Sequence, residues 1–180
     1  LGARLNWILH FGREPRYRKD VRVVQLDVTP EEIGTNVPAE VALVGDGQAI
    51  IGQINRVLDQ EPWQYPVETT WRTGLEQAAA ENEQMTAQMM ADDRTPMNYQ
   101  RVFKDVRDTL PRDTVIVSEG ANTMDIGRTI LPNFEPRTRL DAGTYGTMGV
   151  GMGFAIAASV VNPGKRIVAV EGDSAFGFSG

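Results

Sequence analysis

The sequence predicts an α/β fold, with parallel sheets flanked by helices. Three observations carry that expectation. Short β-branched apolar runs break into Gly, Asp or Glu, as in Val41-Ala-Leu-Val-Gly45-Asp46 and Arg166-Ile-Val-Ala-Val-Glu-Gly172-Asp173, the pattern of strands buried on both faces. Segments of helical spacing or strong helix formers lie between those runs. Strands and helices alternate along the chain, which suits parallel sheets covered by helices.

The elements follow in order. Val21-Arg-Val-Val-Gln-Leu-Asp27-Val28 is a candidate buried strand, and Pro30-Glu31-Glu32-Ile33-Gly34 a short helical turn. Val41 to Gly47 is a second strand with its turn, and Gln48 to Leu58 carries apolar residues at helical spacing. Pro62-Trp63-Gln-Tyr65-Pro66 is turn-like. Trp71 to Met90 is rich in Ala, Glu, Gln and Met and reads as a surface helix, closed by the Asp92-Asp93-Arg94-Thr95-Pro96 break. Residues 61–95 thus form a helical linker between two α/β parts. Beyond it, Tyr99 to Leu110 predicts a helix, Thr114-Val-Ile-Val-Ser118 a strand, and Asp125 to Ile130 a short helix. Arg139-Leu-Asp141 leads into a glycine-rich run. Phe154 to Val161 is a small-residue helix, and a last strand starts at Arg166. Leu1-Gly-Ala-Arg-Leu reads as the tail of a strand already under way, and the helix expected after Asp173 as missing, so both ends read as cut.

Composition narrows the function. Eighteen basic against 24 acidic residues, without blocks of like charge, argue against a nucleic-acid surface. The absence of cysteine excludes disulfides and thiol nucleophiles, and a single histidine, His10, argues against a histidine metal centre or a Ser-His-Asp triad. No stretch is long and apolar enough to span a bilayer.

The candidate chemistry sits where strands end. A strand-terminal Asp173 followed by Ser174 and Ala175 suits Mg²⁺ ligation beside a diphosphate; an N-cap is the competing reading. Gly143 to Gly153 has five glycines in eleven residues. Such a run permits close backbone approach to a ligand and is equally compatible with a surface loop or a tightly packed helix start, although Tyr145 and Met148 are unusual in a solvent-facing linker. Asp27 and Asp46 follow strands, where a carboxylate can bind a ribose hydroxyl or simply cap a helix. Arg4, and the cluster Arg128, Arg137 and Arg139, are either solvated or phosphate anchors.

Three longer motifs bear a resemblance. Val117-Ser-Glu-Gly-Ala-Asn-Thr-Met-Asp-Ile-Gly-Arg128, Arg139-Leu-Asp-Ala-Gly-Thr-Tyr-Gly-Thr-Met-Gly-Val-Gly151 and Val170-Glu-Gly-Asp-Ser-Ala-Phe-Gly-Phe-Ser-Gly180 resemble the thiamine-diphosphate enzymes acting on acyl-CoA, the 2-hydroxyacyl-CoA lyase and oxalyl-CoA decarboxylase family. Gly2-Ala-Arg-Leu-Asn-Trp7 and Pro96-Met-Asn-Tyr99 are similar as well.

The resemblance implies parts of two domains: 1–60 as the later part of a central nucleotide-fold domain, 61–95 as the linker, and 96–180 as the first part of the thiamine-diphosphate-binding domain. It implies Asp173 as a Mg²⁺ ligand, and Tyr99, Asn122, Gly146, Met148, Ser174 and Ala175 as cofactor-pocket residues. Asn82 and Arg128 correspond to CoA contacts; Arg4, Asp27 and Asp46 correspond to an ADP site. Thr123 to Arg128 and Gly143 to Met148 look more like the lyase, which cleaves a 2-hydroxyacyl-CoA to formyl-CoA and an aldehyde. The family works as homodimers or homotetramers, cytoplasmic in bacteria and peroxisomal in eukaryotes, and its catalytic glutamate has no counterpart in these 180 residues. Two alternatives stay open: a CoA- or nucleotide-binding module without catalysis, and a dehydrogenase fragment, although no Gly-x-Gly-x-x-Gly turn opens a helix after the first strand.

Overall fold

The computed structural model describes residues 1–179. The chain divides into two compact units, the first Leu1–Val67 and the second beginning at Glu68.

In the first unit, β1 (Val24–Asp27) and β2 (Val41–Val44) pair in parallel, with Val24 opposite Val41 and Asp27 opposite Val44. The strand is shorter than the Val21–Val28 run that predicts it. Burial is concentrated in Gln25, Leu26 and Asp27. Gln25 is a buried amide because both ends of its side chain are satisfied: it donates to the Glu32 carbonyl at 3.1 Å and accepts from the Gly34 N–H at 2.9 Å. This closes the turn around a 3-10 segment, Pro30–Glu32. Helix α1 (Gly47–Gln60) starts at Asp46, whose Oδ1 accepts the Ala49 N–H at 2.9 Å. The opening residues form no strand. Gly2 donates to the Leu26 carbonyl at 2.8 Å, but its φ of +59° turns the chain out of the extended region.

In the second unit, α2 (Thr70–Met90) packs on α3 (Tyr99–Thr109). Thr69 and Asn98 cap the two helices, accepting the N–H of Arg72 and Arg101 at 3.2 and 2.7 Å. Strands β3 (Val115–Ser118), β4 (Arg139–Asp141) and β5 (Ile167–Val170) form a parallel sheet of order β4-β3-β5, with Ser118 opposite both Asp141 and Val170. Helices α4 (Asn122–Ile130) and α5 (Gly151–Val161) connect them. Central β3 is buried along its whole length, which is why its sequence has no polar alternation. Ile116 joins Phe103, Ile130, Leu131 and Val170 in the core.

The second unit's last element corrects an expectation. The helix read as missing is present: α6 (Asp173–Ser179) begins directly after the strand turn, with the Phe176 N–H on the Gly172 carbonyl at 2.9 Å. Phe176-Gly-Phe-Ser179 reads poorly as helix, yet the chain turns helical directly after β5. The last residue of the third motif, Gly180, lies outside the described residues.

Candidate functional site

The order β4-β3-β5 makes the chain leave β3 toward one side and return to β5 on the other. Ligands of open α/β sheets bind outside the carboxyl ends of the strands at such a reversal, here between β3 and β5. Both strands end in the same dipeptide: Glu119-Gly120 after β3 and Glu171-Gly172 after β5. The two turns touch, since a Cβ on Gly172 would lie 3.2 Å from Thr123 Oγ1, and one on Gly120 would lie 3.9 Å from the Gly172 nitrogen.

The two glutamates are the residues that sequence reasoning missed. Glu119 has no solvent exposure. Its backbone N–H binds the Val170 carbonyl at 3.1 Å. Its carboxylate accepts the N–H groups of Gly149, through a short bond, and of Gly151, at 2.5 Å. The Glu171 carboxylate is closed off from water without a hydrogen-bond partner. Burial, together with the negative charge of Glu119, pushes its pKa above the usual carboxylate range. Both carboxylates converge on Gly151, where a Cβ would stand 2.3 Å from Glu171 Oε1 and 2.8 Å from Glu119 Oε2. Only glycine fits there. The repeated Glu-Gly at adjacent strand ends was the available signal.

The other candidates in this unit fall around the same edge. Asn122 opens α4 and Asp173 opens α6, and both are exposed, as is Ser174. Ala175 is 2 % exposed, so its methyl faces the fold. Gly146 and the half-exposed Met148 lie in the loop between β4 and α5, where Gly143 and Gly146 both have φ of +63° with open space at the Cβ position. Tyr145, at 96 % exposure, stands at its tip. Helix α3 inserts Phe103 into the core beside Ile116. Its first residue, Tyr99, is exposed. Among the described residues, no group of three or more acidic or histidine side chains is assembled to hold a metal; Asp173 stands as a single carboxylate.

Arg128 is not free. It donates to Asp141 Oδ2 at 2.6 Å and lies 3.8 Å from Asp125. Burial opposes ionisation of Asp141, but the Arg128 hydrogen bond, the Gly143 N–H and the charges of Arg128 and Arg139 outweigh it and hold the carboxyl below its usual range. Arg139 itself binds the Leu131 carbonyl and Asn133. Asn82 lines an open groove of about 590 Å³ with Glu83, Met85, Thr86, Met90 and Thr129, the last being the neighbour of Arg128.

In the first unit, Asp27 and Asp46 share the carboxyl edge of β1 and β2. Asp27 Oδ1 accepts the Thr29 N–H at 2.9 Å, and its carbonyl accepts the Gly45 N–H at 3.0 Å. Arg4 pairs with Glu32 at 3.1 Å, on the turn that follows β1. All three acidic or basic candidates already have protein partners in this structure.

Parallel α/β units with a glycine-rich, carboxylate-ended edge belong to the class of α/β proteins that offer a ligand-binding site at the carboxyl ends of their strands. Comparison with known proteins gives the family. Residues 118–180 match the thiamine pyrophosphate enzyme C-terminal TPP binding domain, and residues 1–54 match the thiamine pyrophosphate enzyme central domain. The chain is 56 % identical to 2-hydroxyacyl-CoA lyase 1 of Homo sapiens and 46 % identical to 2-hydroxyacyl-CoA lyase of Arabidopsis thaliana, each over 99 % of its own length and 32 % of the relative's. It is 43 % identical to oxalyl-CoA decarboxylase of Escherichia coli (strain K12), over 100 % of its length and 32 % of the relative's. The chain belongs to the thiamine pyrophosphate enzymes, in the family of 2-hydroxyacyl-CoA lyase and oxalyl-CoA decarboxylase. It spans about a third of the length of these curated relatives. Among the described residues, no helix is long and apolar enough to cross a membrane.

Proposed function

We propose that this chain supplies part of the cofactor and substrate sites of a thiamine-diphosphate-dependent carbon–carbon lyase that cleaves 2-hydroxyacyl-CoA to formyl-CoA and a shortened aldehyde. The observation that carries the reading is the pairing of an exposed strand-terminal Asp173 with a glycine-rich loop on the same sheet edge. Identities of 56 % and 46 % to the human and Arabidopsis lyases, against 43 % to the decarboxylase, favour the lyase reading. In domain terms, 1–60 is the later part of the central domain, 61–95 the linker, and 96–180 the early part of the cofactor domain.

The residues present fit the cofactor. Mg²⁺ is held through one or two carboxylates plus phosphate and water oxygens rather than by an all-protein cage, so a lone Asp173 suits it. Ser174 offers an exposed hydroxyl. Ala175, with its methyl turned inward, offers only its backbone N–H, one of the N–H groups that a helix start leaves without an intrahelical partner. The open space at Gly143 and Gly146 leaves room for close backbone approach, and Met148 provides an apolar surface beside it. Thiamine diphosphate, when bound, supplies a carbon nucleophile and an electron sink for the bond cleaved. Tyr99 and Asn122 border the pocket. Asn82 and Arg128 contact CoA, Arg128 only after sharing or leaving Asp141, because its guanidinium is otherwise engaged. Arg4, Asp27 and Asp46 serve an ADP site under the same condition.

The test uses the full-length protein carrying this chain, with thiamine diphosphate and Mg²⁺, given a 2-hydroxyacyl-CoA and, separately, oxalyl-CoA. Formyl-CoA and aldehyde from the first substrate support the lyase. Turnover of oxalyl-CoA alone assigns the decarboxylase, and turnover of neither ends the proposal. The 180-residue chain by itself is expected to release no formyl-CoA.

A further inference from the structure

We propose that Glu119 is a positioning residue that locks the glycine-rich loop, and with it Met148 and Gly146, in register with the strand ends bearing Asn122 and Asp173. This rests on the reading of that edge as the cofactor site.

Helix α5 begins at Gly151, and its N-cap residue, Val150, makes no side-chain cap hydrogen bond. The helix start still needs acceptors for its first N–H groups, and Glu119 supplies one from another element. Its carboxylate takes the Gly151 N–H within the first turn and the Gly149 N–H just before it. Gly149 immediately follows Met148, so the end of the loop is fixed one residue from the side chain that would touch the cofactor. The anchor is itself fixed, because the Glu119 backbone bonds Val170 across β3 and β5. A fully buried carboxylate is costly unless its oxygens are paired. A neutral apolar contact would serve packing alone, whereas two aimed acceptors define where each amide must sit.

A glutamine at 119 presents an NH₂ toward two N–H donors and can accept only one of them. An aspartate is one methylene shorter and cannot reach both amides unchanged. Amide hydrogen exchange on the cofactor-free full-length protein reads the lock directly. The Gly149 and Gly151 amides of the wild type should be slow and shifted downfield. Glu119→Gln should speed their exchange at least tenfold while the Val115, Ile116 and Val117 amides stay protected. Calorimetric titration of the full-length variant with thiamine diphosphate and Mg²⁺ should then show affinity falling at least tenfold. A core variant, Ile130→Val, chosen for a comparable loss of stability, should keep wild-type affinity.

Fast exchange at Gly149 and Gly151 in the wild type overturns the proposal without any variant having to fold. Freed amides with unchanged cofactor affinity overturn it too, and leave the cofactor site standing. Equal loss of affinity in Ile130→Val overturns it by reducing the role to stability. A wild-type protein that binds no thiamine diphosphate in its full-length form overturns the reading of the site as well.

Discussion

Arg128 on α4 and Asp141 at the end of β4 are joined by a hydrogen bond of 2.6 Å. The same carboxylate accepts the Gly143 N–H at 2.8 Å through its other oxygen. One aspartate therefore ties the helix after β3 to the first residue of the glycine-rich loop.

That tie carries a pH dependence with a fixed sign. The Asp141 carboxyl titrates below its ordinary range in the fold, so the unfolded chain binds a proton first as pH falls. Its contribution is present above the unfolded carboxyl pKa and is lost as pH drops through the folded value. Urea titrations of wild type and Asp141→Asn between about pH 6 and pH 3 should show the wild type losing more stability toward acid. Identical pH slopes would mean that the pair contributes nothing. At neutral pH the difference should be at most about 1 kcal/mol, because both side chains are partly exposed.

Two glycines of α5 should respond oppositely to alanine. At Gly151 the added methyl meets both glutamate side chains at distances no real Cβ tolerates. Gly151→Ala should destabilise the second unit by about 1–3 kcal/mol or more. At Gly153 nothing lies within 4 Å, and Gly153→Ala should stabilise by up to about 1 kcal/mol. Denaturant midpoints of the two variants decide this, and a harmless Gly151→Ala would contradict the packing described around Glu119 and Glu171.

Much of this fold is legible in the residues, for identifiable reasons. Val115 to Ser118 has no polar alternation because both faces are covered, and that makes the strand conspicuous. Trp71 to Met90 is a helix by composition, and the structure adds only Thr70, with Thr69 as its cap. The first turn of α4 was harder to see, since Gly120-Ala-Asn122-Thr reads as loop until the β3 turn holds it. Asp46 suits a ribose ligand or a cap by sequence alike, and in the structure its Oδ1 caps α1. Glu119 escaped notice because one acidic residue after a strand looks like any solvated loop position. Its meaning comes from Gly149 and Gly151, some thirty positions away, and local pattern contains no such contact.

The groove beside α2 gives a substrate-side prediction. Asn82 lines it with Thr86 and Thr129, and its exposed amide is available to a polar ligand group. In the full-length enzyme, Asn82→Ala should raise KM for the acyl-CoA about three- to tenfold, the loss of one ordinary hydrogen bond, with kcat little changed. Equal losses in KM and kcat, or none, would remove Asn82 from the CoA site.

Asp173 offers the sharpest separation of binding from folding. It is exposed at the first residue of α6, and no hydrogen bond or ion pair from its side chain holds the turn among the described residues. Asp173→Asn should therefore leave the thermal midpoint within about 1 °C, as surface changes away from structural features do. A neutral amide is a much poorer partner for a hard divalent cation than a carboxylate. Calorimetry of the full-length protein should show thiamine diphosphate binding weakened at least tenfold at low Mg²⁺, with part of the loss recovered as Mg²⁺ is raised. A weakened affinity insensitive to Mg²⁺ would place Asp173 on the diphosphate rather than on the metal. Unchanged affinity at every Mg²⁺ concentration would show that the ion is held elsewhere, and that the strand-terminal aspartate does no more than open a helix.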